Sequence, residues 1–155
     1  MDRDARQLSD PAHAAVVRGV LGIIGRDGRF LMIRRAAHLA VGGAWCFPGG
    51  HIHDDESDER ALVREMREEL GLEVAPGRLL TELIKRDGRL VLRCWSADIV
   101  GGSLSPAAEE VADVRWMSPD DMRRMPLTDA TVPLDAPATL ITGTLEILDR
   151  IGELD

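Results

Sequence analysis

The sequence predicts a single domain of mixed helices and strands, of the α/β or α+β class. The length of 155 residues suits one domain, and 45% hydrophobic with 30% charged residues is typical of a soluble globular protein. Several runs rich in valine, isoleucine and leucine are separated by turns and indicate strands. One central segment has the apolar spacing of an amphipathic helix. We therefore expect residues 1–155 to form one domain, with residues 1–12 as a flexible N-terminus.

The chain before the central helix predicts two strands and a loop. Residues 15–24 and 30–34 are rich in branched and large apolar side chains. The Arg-Asp-Gly turn at 26–28 favours a hairpin between these two strands. Residues 36–44 contain two adjacent glycines and are expected to form a mobile loop.

The central helix is predicted to begin after Ser57 and to end before Gly71. Serine is a favoured N-cap, and glycine favours the left-handed position that follows the last turn. Spacing of 3.6 residues per turn places one apolar stripe on the core side. The stripe consists of Leu62, Val63, Met66 and Leu70.

The second half of the chain predicts another hairpin, a further strand and two helices. The hairpin strands are 79–85 and 89–100, joined by a second Arg-Asp-Gly turn. A strand at 109–117 leads to a short helix, with Ser118 as N-cap and Pro119 in the first position. The later predictions are a turn-rich stretch at 126–139 that covers one edge of the pocket and a C-terminal helix at 140–151.

Three carboxylates converge on one side of the central helix. Glu65, Glu68 and Glu69 are spaced i, i+3 and i+4, so they repel one another unless a cation neutralises them. Carboxylate oxygens suit Mg²⁺, with Mn²⁺ as a substitute. On the helix alone, a solvated acidic face is the alternative interpretation.

The residues around the helix decide between these interpretations. Glu56 follows Gly50 after five residues, and after seven more comes Arg-Glu-Met-Arg-Glu-Glu-Leu-Gly-Leu at 64–72. This spacing resembles the Nudix box, G-x5-E-x7-R-E-U-x-E-E-x-G-U, in which U is a bulky apolar residue. Every fixed position of that motif is filled. Trp45 and Pro48 also resemble the W-x-x-P-G-G entry that is common in the family. The sequence is therefore identified as a member of the Nudix hydrolase family, and within it resembles short MutT-like proteins.

The resemblance implies a mixed β-sheet sandwiched between α-helices and a set of functional residues. The implied catalytic residues are Arg64, Glu65, Glu68 and Glu69. The implied metal ligands are Gly50 through its main-chain carbonyl, Glu65, Glu68, Glu69 and Glu110. Glu109 is the second choice for the downstream carboxylate, and the identity of the general base stays open. Arg64 is also expected to pair with Glu56 and hold the loop against the helix.

The substrate-binding residues are less sharply indicated. Arg35 and Arg18 lie on or beside the first two predicted strands, where basic residues of similar proteins often face substrate phosphates. Trp45 is a candidate for stacking on a base, with a core position as the alternative. His51 and His53 lie in the box loop and are either proton-carrying neighbours of the metal or solvated loop residues.

The resemblance implies hydrolysis of a nucleoside diphosphate linked to another group. The activity that it favours most is that of a MutT-like nucleoside triphosphate pyrophosphohydrolase, acting on normal or damaged nucleotides. Hydrolysis of ADP-ribose or another nucleoside diphosphate sugar is one alternative, and a non-catalytic nucleotide sensor is another. The chain has no tyrosine, which relatives that hydrolyse dinucleoside polyphosphates tend to carry beyond the box.

Composition limits the partners and the compartment. A net charge of −8 argues against a groove for a nucleic-acid polymer, which needs a basic stripe. The two cysteines lack metal-ligand spacing and are expected to be reduced and buried. Without an export signal or membrane span, we expect a cytoplasmic monomer or homodimer with a small nucleotide as its partner.

Overall fold

The computed structural model describes residues 15–152, so the predicted flexible N-terminus lies outside the described residues. The strands are β1 (Val17–Ile23), β2 (Gly25–Arg26), β3 (Arg29–Arg35), β4 (Trp45–Cys46), β5 (Gly49–His51), β6 (Leu72–Lys85), β7 (Leu90–Gly102), β8 (Val111–Met117), β9 (Leu127–Thr128) and β10 (Leu140–Ile141). The helices are α1 (Asp58–Leu70), α2 (Pro119–Arg123) and α3 (Thr142–Gly152). Within this part of the chain, no helix is both long enough and apolar enough to cross a membrane.

The strands form two mixed sheets, which confirms the predicted α+β class with its mixed sheet. The first sheet has the order β5-β1-β7-β6, in which β1 runs antiparallel to β5 and parallel to β7. The second has the order β2-β3-β4-β10-β9, and β8 pairs with β3. Helix α1 packs its apolar side on one core, and α3 packs on the other.

The predicted hairpin of the first two strands is wrong in its pairing. Strand β1 belongs to the first sheet, and β3 makes its hairpin with the two-residue strand β2 instead. Ile23 and Ile24 are consecutive, yet both are buried, and each belongs to a different core. Successive residues of a strand face opposite sides, which lets this pair reach both cores, and the chain passes there from β1 of the first sheet to β2 of the second.

Helix α1 agrees closely with the sequence prediction. The Ser57 hydroxyl accepts a hydrogen bond from the Arg60 backbone N–H at 3.2 Å, and Gly71 has the predicted left-handed conformation with φ of 70°. Leu62, Met66 and Leu70 are fully buried, whereas Val63 is only half-buried. The additional fully buried residue on this face is Ala61.

The second hairpin is confirmed, and its strands are longer than predicted. Strand β6 begins at Leu72, directly after the helix, because bulges between Glu73 and Val74 and between Pro76 and Leu79 let this irregular stretch stay paired with β7. Proline is tolerated here because β6 is the edge of its sheet.

The C-terminal third also follows the prediction, with later boundaries. Strand β8 starts two residues beyond the predicted 109, and α2 has the predicted Ser118 N-cap within a capping box formed with Asp121. Helix α3 starts at Thr142 because the two preceding residues are paired as β10 between β4 and β9. Both cysteines are free thiols, Cys94 buried and Cys46 half-buried.

Candidate active site

Three carboxylates meet at one end of α1. One oxygen from each of Glu65, Glu69 and Glu110 lies within 4.8 Å of the other two. Glu65 and Glu69 are one turn apart on the helix and are both buried, and Glu110 is exposed. The sequence predicted all three residues as metal ligands, and the structure brings them together.

The C-terminal end of α1 positions Glu110. The last carbonyls of a helix lack partners within it, and here Glu69 and Leu70 accept from the backbone N–H groups of Ala107 and Ser105 at 2.9 and 2.7 Å. On the other side, the Glu110 carbonyl accepts from Ala36 at 3.0 Å. The loop before β8 is therefore fixed to the helix and to β3, and Glu110 is placed beside Glu69.

Gly49 and Gly50 allow the strand before the helix to approach these carboxylates. The Gly49 N–H donates to Glu69 Oε1 at 3.0 Å. Gly50 lies so close to Glu65 that a Cβ at this position would overlap the Glu65 carboxylate. The Gly50 backbone thus borders the cluster, where the sequence predicted its carbonyl as a ligand.

Burial controls the charge of the cluster. It raises the pKa of Glu69 to about 8, against the Gly49 hydrogen bond, and the nearby Glu65 and Glu110 carboxylates raise it further. Burial also raises the pKa of Glu65, although the hydrogen bond from Arg64 opposes this. Buried like charges of this kind are costly unless a cation neutralises them, so the donor set fits a hard divalent ion.

Arg64 connects the box loop to the helix. Its guanidinium donates to both carboxylate oxygens of Glu56 at 2.7 and 2.8 Å and to the His51 carbonyl at 2.8 Å. It also donates to Glu65 at 2.9 Å. These hydrogen bonds lower the pKa of Glu56 to about 2, and the carboxylates raise that of Arg64. The expected Arg64–Glu56 pair is therefore present in the structure.

Glu68 lies apart from the carboxylate cluster. Its side chain is 58% exposed and accepts a hydrogen bond from Arg64 at 3.1 Å. The spacing i, i+3 and i+4 brings Glu65 and Glu69 together but turns Glu68 toward solvent. Ligation by Glu68, and its catalytic role, stay predictions. The second choice, Glu109, is exposed and is not part of the cluster.

The predicted substrate-binding residues lie in different environments. Arg35 is half-buried and pairs with Val111, the residue after Glu110, which places it near the cluster. Its charge counteracts the effect of burial on the pKa of Glu69 and Cys46. Arg18 is half-exposed and pairs with Asp58 at 3.6 Å. Trp45 is 1% exposed within the second core, with the Arg115 guanidinium over its ring, so the structure places it in the core and not on an open surface.

A shallow cavity of about 420 Å³ contains both box-loop histidines. It is lined by Val16, Val17, Arg18, His51, Ile52, His53 and Asp54. The side chains of His51 and His53 are exposed, and His53 lies 3.6 Å from Glu56. The cavity is open surface beside the box loop, and a role for either histidine stays a prediction.

Asp58, in the first turn of α1, has contacts that the sequence does not predict. In the structure it is buried and accepts hydrogen bonds from Arg93 and Trp95, both at 2.9 Å. Burial raises its pKa, but these hydrogen bonds outweigh that effect and lower the pKa overall. The start of α1 is thereby anchored to β7. The only sequence signal is an acidic residue next to the N-cap, which the helix dipole alone explains.

Comparison with known proteins agrees with this geometry. A family model described as the NUDIX domain matches residues 13–136, which include the whole box and Glu110. The chain belongs to the Nudix family. It is therefore a Nudix pyrophosphohydrolase, an enzyme that acts on phosphoric anhydride bonds.

Several relatives match most of this Nudix chain. A CTP pyrophosphohydrolase of Escherichia coli (strain K12) is 37% identical over 121 residues, which cover 77% of this chain and 88% of the relative. A MutT-like protein of Streptomyces ambofaciens is 35% identical over 141 residues, covering 88% and 84%. A MutT Nudix hydrolase from Burkholderia pseudomallei has a similar solved structure, with a TM-score of 0.68, 27% identity and coverage of 87% and 97%.

Proposed function

We propose that the protein hydrolyses nucleoside triphosphates to the monophosphate and pyrophosphate, with Mg²⁺ as its cofactor. The observation that carries the proposal is the cluster of Glu65, Glu69 and Glu110 at the end of the box helix. The similarity to a CTP pyrophosphohydrolase and to a MutT-like protein supports a triphosphate as the substrate. CTP and 8-oxo-dGTP are the first compounds to test, because a putative 8-oxo-dGTP diphosphatase of Mycobacterium tuberculosis is also 33% identical over 113 residues.

Each residue of the cluster has a defined task in this proposal. Glu65, Glu69 and Glu110 would hold the cation, and the Gly50 backbone lies against the Glu65 carboxylate. A bound Mg²⁺ supplies charge neutralisation on the phosphates and acidifies a coordinated water. Arg64 keeps Glu65 in place, and the Gly49 N–H fixes one oxygen of Glu69. With the cation bound, the site would provide the orientation and positive charge that hydrolysis at a phosphorus requires.

The decisive experiment is hydrolysis of a nucleotide panel. It includes CTP, 8-oxo-dGTP, the standard triphosphates, ADP-ribose and a nucleoside diphosphate sugar, and it measures released pyrophosphate and monophosphate. We expect turnover with Mg²⁺ or Mn²⁺, none with EDTA, and pyrophosphate as a product. Turnover of ADP-ribose or the sugar alone, without any triphosphate, would overturn the proposed substrate class.

Substitution of neighbouring glutamates tests the metal assignment. Glu69→Gln and Glu110→Gln should each lower kcat/KM by about 100-fold or more, since each removes a charge that holds the cation. Glu109→Gln is the matched control, because Glu109 is adjacent in sequence but exposed outside the cluster. Equal losses for Glu109→Gln and Glu110→Gln would contradict the assignment.

A further inference from the structure

Val41 has a backbone conformation that its side chain disfavours. Its φ is 53°, in the left-handed region, where a β-branched residue is a true outlier. Such outliers persist only where surrounding contacts enforce them, and they concentrate near functional sites. Val41 lies in the loop between β3 and β4, which joins Arg35 to the box entry.

Hydrogen bonds on both sides hold the loop in this conformation. The Gly42 N–H donates to Leu39 at 2.9 Å, and the Gly42 carbonyl accepts from Val132 at 2.9 Å. A Cβ at Gly42 would overlap the Ala36 and Ala37 carbonyls. The segment predicted as a mobile loop is therefore closely packed, and its glycines serve close approach. The strain at Val41 is maintained by these contacts.

The main consequence of this conformation is the direction of the Ala40 carbonyl. It accepts a hydrogen bond from Arg35 Nε at 2.7 Å. Among residues 15–152, no other oxygen accepts a hydrogen bond from the Arg35 side chain. The bond fixes the guanidinium by its inner nitrogen, and the Cys46 thiol is the other hydrogen-bonding neighbour of this side chain.

Arg35 pairs with Val111 on β8, and the adjacent Ala36 N–H donates to the Glu110 carbonyl at 3.0 Å, so Arg35 lies next to the strand end that carries Glu110. Its charge also lowers the pKa of Glu69 and Cys46, against the effect of burial.

The preceding residue, Arg34, is an arginine with a purely structural role and serves as a comparison. Its Nε donates to the Gly43 carbonyl at 2.8 Å, and its terminal nitrogen donates to the Pro133 carbonyl at 3.4 Å. Both ends of that guanidinium are thus used within the protein. Arg35 differs because only its inner end is held by an oxygen.

We propose that Val41 is a positioning residue: its left-handed backbone aims the Ala40 carbonyl at Arg35, and this holds the Arg35 terminal nitrogens toward a polyphosphate bound at the glutamate cluster. The inference rests on the proposed function, and adds the element that orients the phosphate-binding cation. In this proposal the loop orients the Arg35 side chain, and Arg35 contacts the polyphosphate.

Kinetics of loop variants test the proposal. Val41→Pro cannot adopt positive φ, whereas Val41→Asn tolerates it. We expect Val41→Pro and Arg35→Ala each to raise KM for the triphosphate about tenfold, the size of a lost charged hydrogen bond, with kcat changed less than about twofold. Val41→Asn should stay within about twofold of the wild-type KM. The double variant Arg35→Ala/Val41→Pro should be no worse than Arg35→Ala alone, and additive losses would overturn the proposal.

A second measurement uses the wild-type protein, in case Val41→Pro does not fold. Nitrogen-15 NMR can follow the Arg35 side chain while Mg²⁺ and inorganic pyrophosphate are added. We expect the Nε–H to exchange slowly with solvent throughout, because the Ala40 bond persists, and the terminal N–H signals to shift on addition. Unchanged terminal signals, or a fast-exchanging Nε–H, would overturn the proposal. A protein that hydrolyses no nucleotide would refute the proposed function instead, whatever this spectrum shows.

Discussion

At the scale of single residues, Arg64 explains why the box needs an arginine at its centre. A lysine has one nitrogen at its tip, whereas the planar guanidinium satisfies Glu56, His51 and Glu65 together. The side chain is 22% exposed, so these bonds are partly screened by solvent. Arg64 thus stabilises the box loop and orients one member of the carboxylate cluster.

Removal of Arg64 should therefore lower both stability and rate. Arg64→Ala leaves Glu56 and Glu65 without their cation, and we expect a loss of about 1–3 kcal/mol in the free energy of unfolding. For a domain of this size that corresponds to a fall in Tm of about 2–10 °C, measured by thermal denaturation. Arg60→Ala, an exposed arginine of the same helix, is the control and should change Tm little. An unchanged Tm in Arg64→Ala would indicate that Arg64 acts on the substrate directly.

Residue spacing predicted the cluster well where the partners lie on one helix. Glu65 and Glu69 are separated by one turn, so their proximity follows from helix geometry alone. The position of Glu110 came from the family resemblance, since its approach depends on backbone bonds between distant segments. The exposed orientation of Glu68 was not predictable for the same reason: it follows from the rotation of α1 against the sheets.

At the scale of elements, the end of α1 serves two purposes. Gly71 terminates the helix in the left-handed conformation, and the loop between β7 and β8 caps the carbonyls of Glu69 and Leu70. The sequence predicted the helix boundaries because caps are local signals. It could not predict that β1 pairs with β5 and β7 instead of β3, because those partners are distant in sequence.

Two glycine substitutions separate the cap from simple backbone strain. Gly71 and Gly88 both have positive φ, at 70° and 86°. A Cβ at Gly71 would also lie 2.8 Å from the Ser103 carbonyl oxygen, whereas no atom lies within 4 Å of one at Gly88. We expect Gly88→Ala to cost about 1 kcal/mol and Gly71→Ala about 1 kcal/mol more. Urea denaturation measures both, and equal costs would show that the Ser103 contact is unimportant.

At the scale of the whole molecule, the buried cluster links stability to pH and metal. The pKa of Glu69 is about 8 in the folded protein and near its ordinary value of 4.5 in the unfolded chain. Between these values the folded state binds more protons, so the free energy of unfolding decreases as pH rises. Above about pH 8 the group is ionised in both states, and its contribution levels off.

The metal-free protein should accordingly lose thermal stability between pH 6 and pH 8.5. In EDTA we expect Tm to fall by several degrees over this range, roughly 2–4 °C for each kcal/mol. Glu69→Gln should flatten this dependence, because the substituted side chain does not titrate. Mg²⁺ should raise the wild-type Tm most at high pH, where its ligands are already deprotonated. An equally steep pH dependence in Glu69→Gln would show that other groups cause it.

The parallel pairing of β1 with β7 also has a consequence for how the chain acquires its structure. Val17 pairs with Leu90, so β1, the first strand of the described residues, can meet its parallel neighbour only after about seventy further residues have been made. Such distant pairings are entropically slow to close. Until β7 emerges from the ribosome, β1 presents an open hydrogen-bonding edge, with β5 as its other neighbour. The nascent chain is thus most exposed to misassociation before residue 90 is available, and completion of β7 ends that interval.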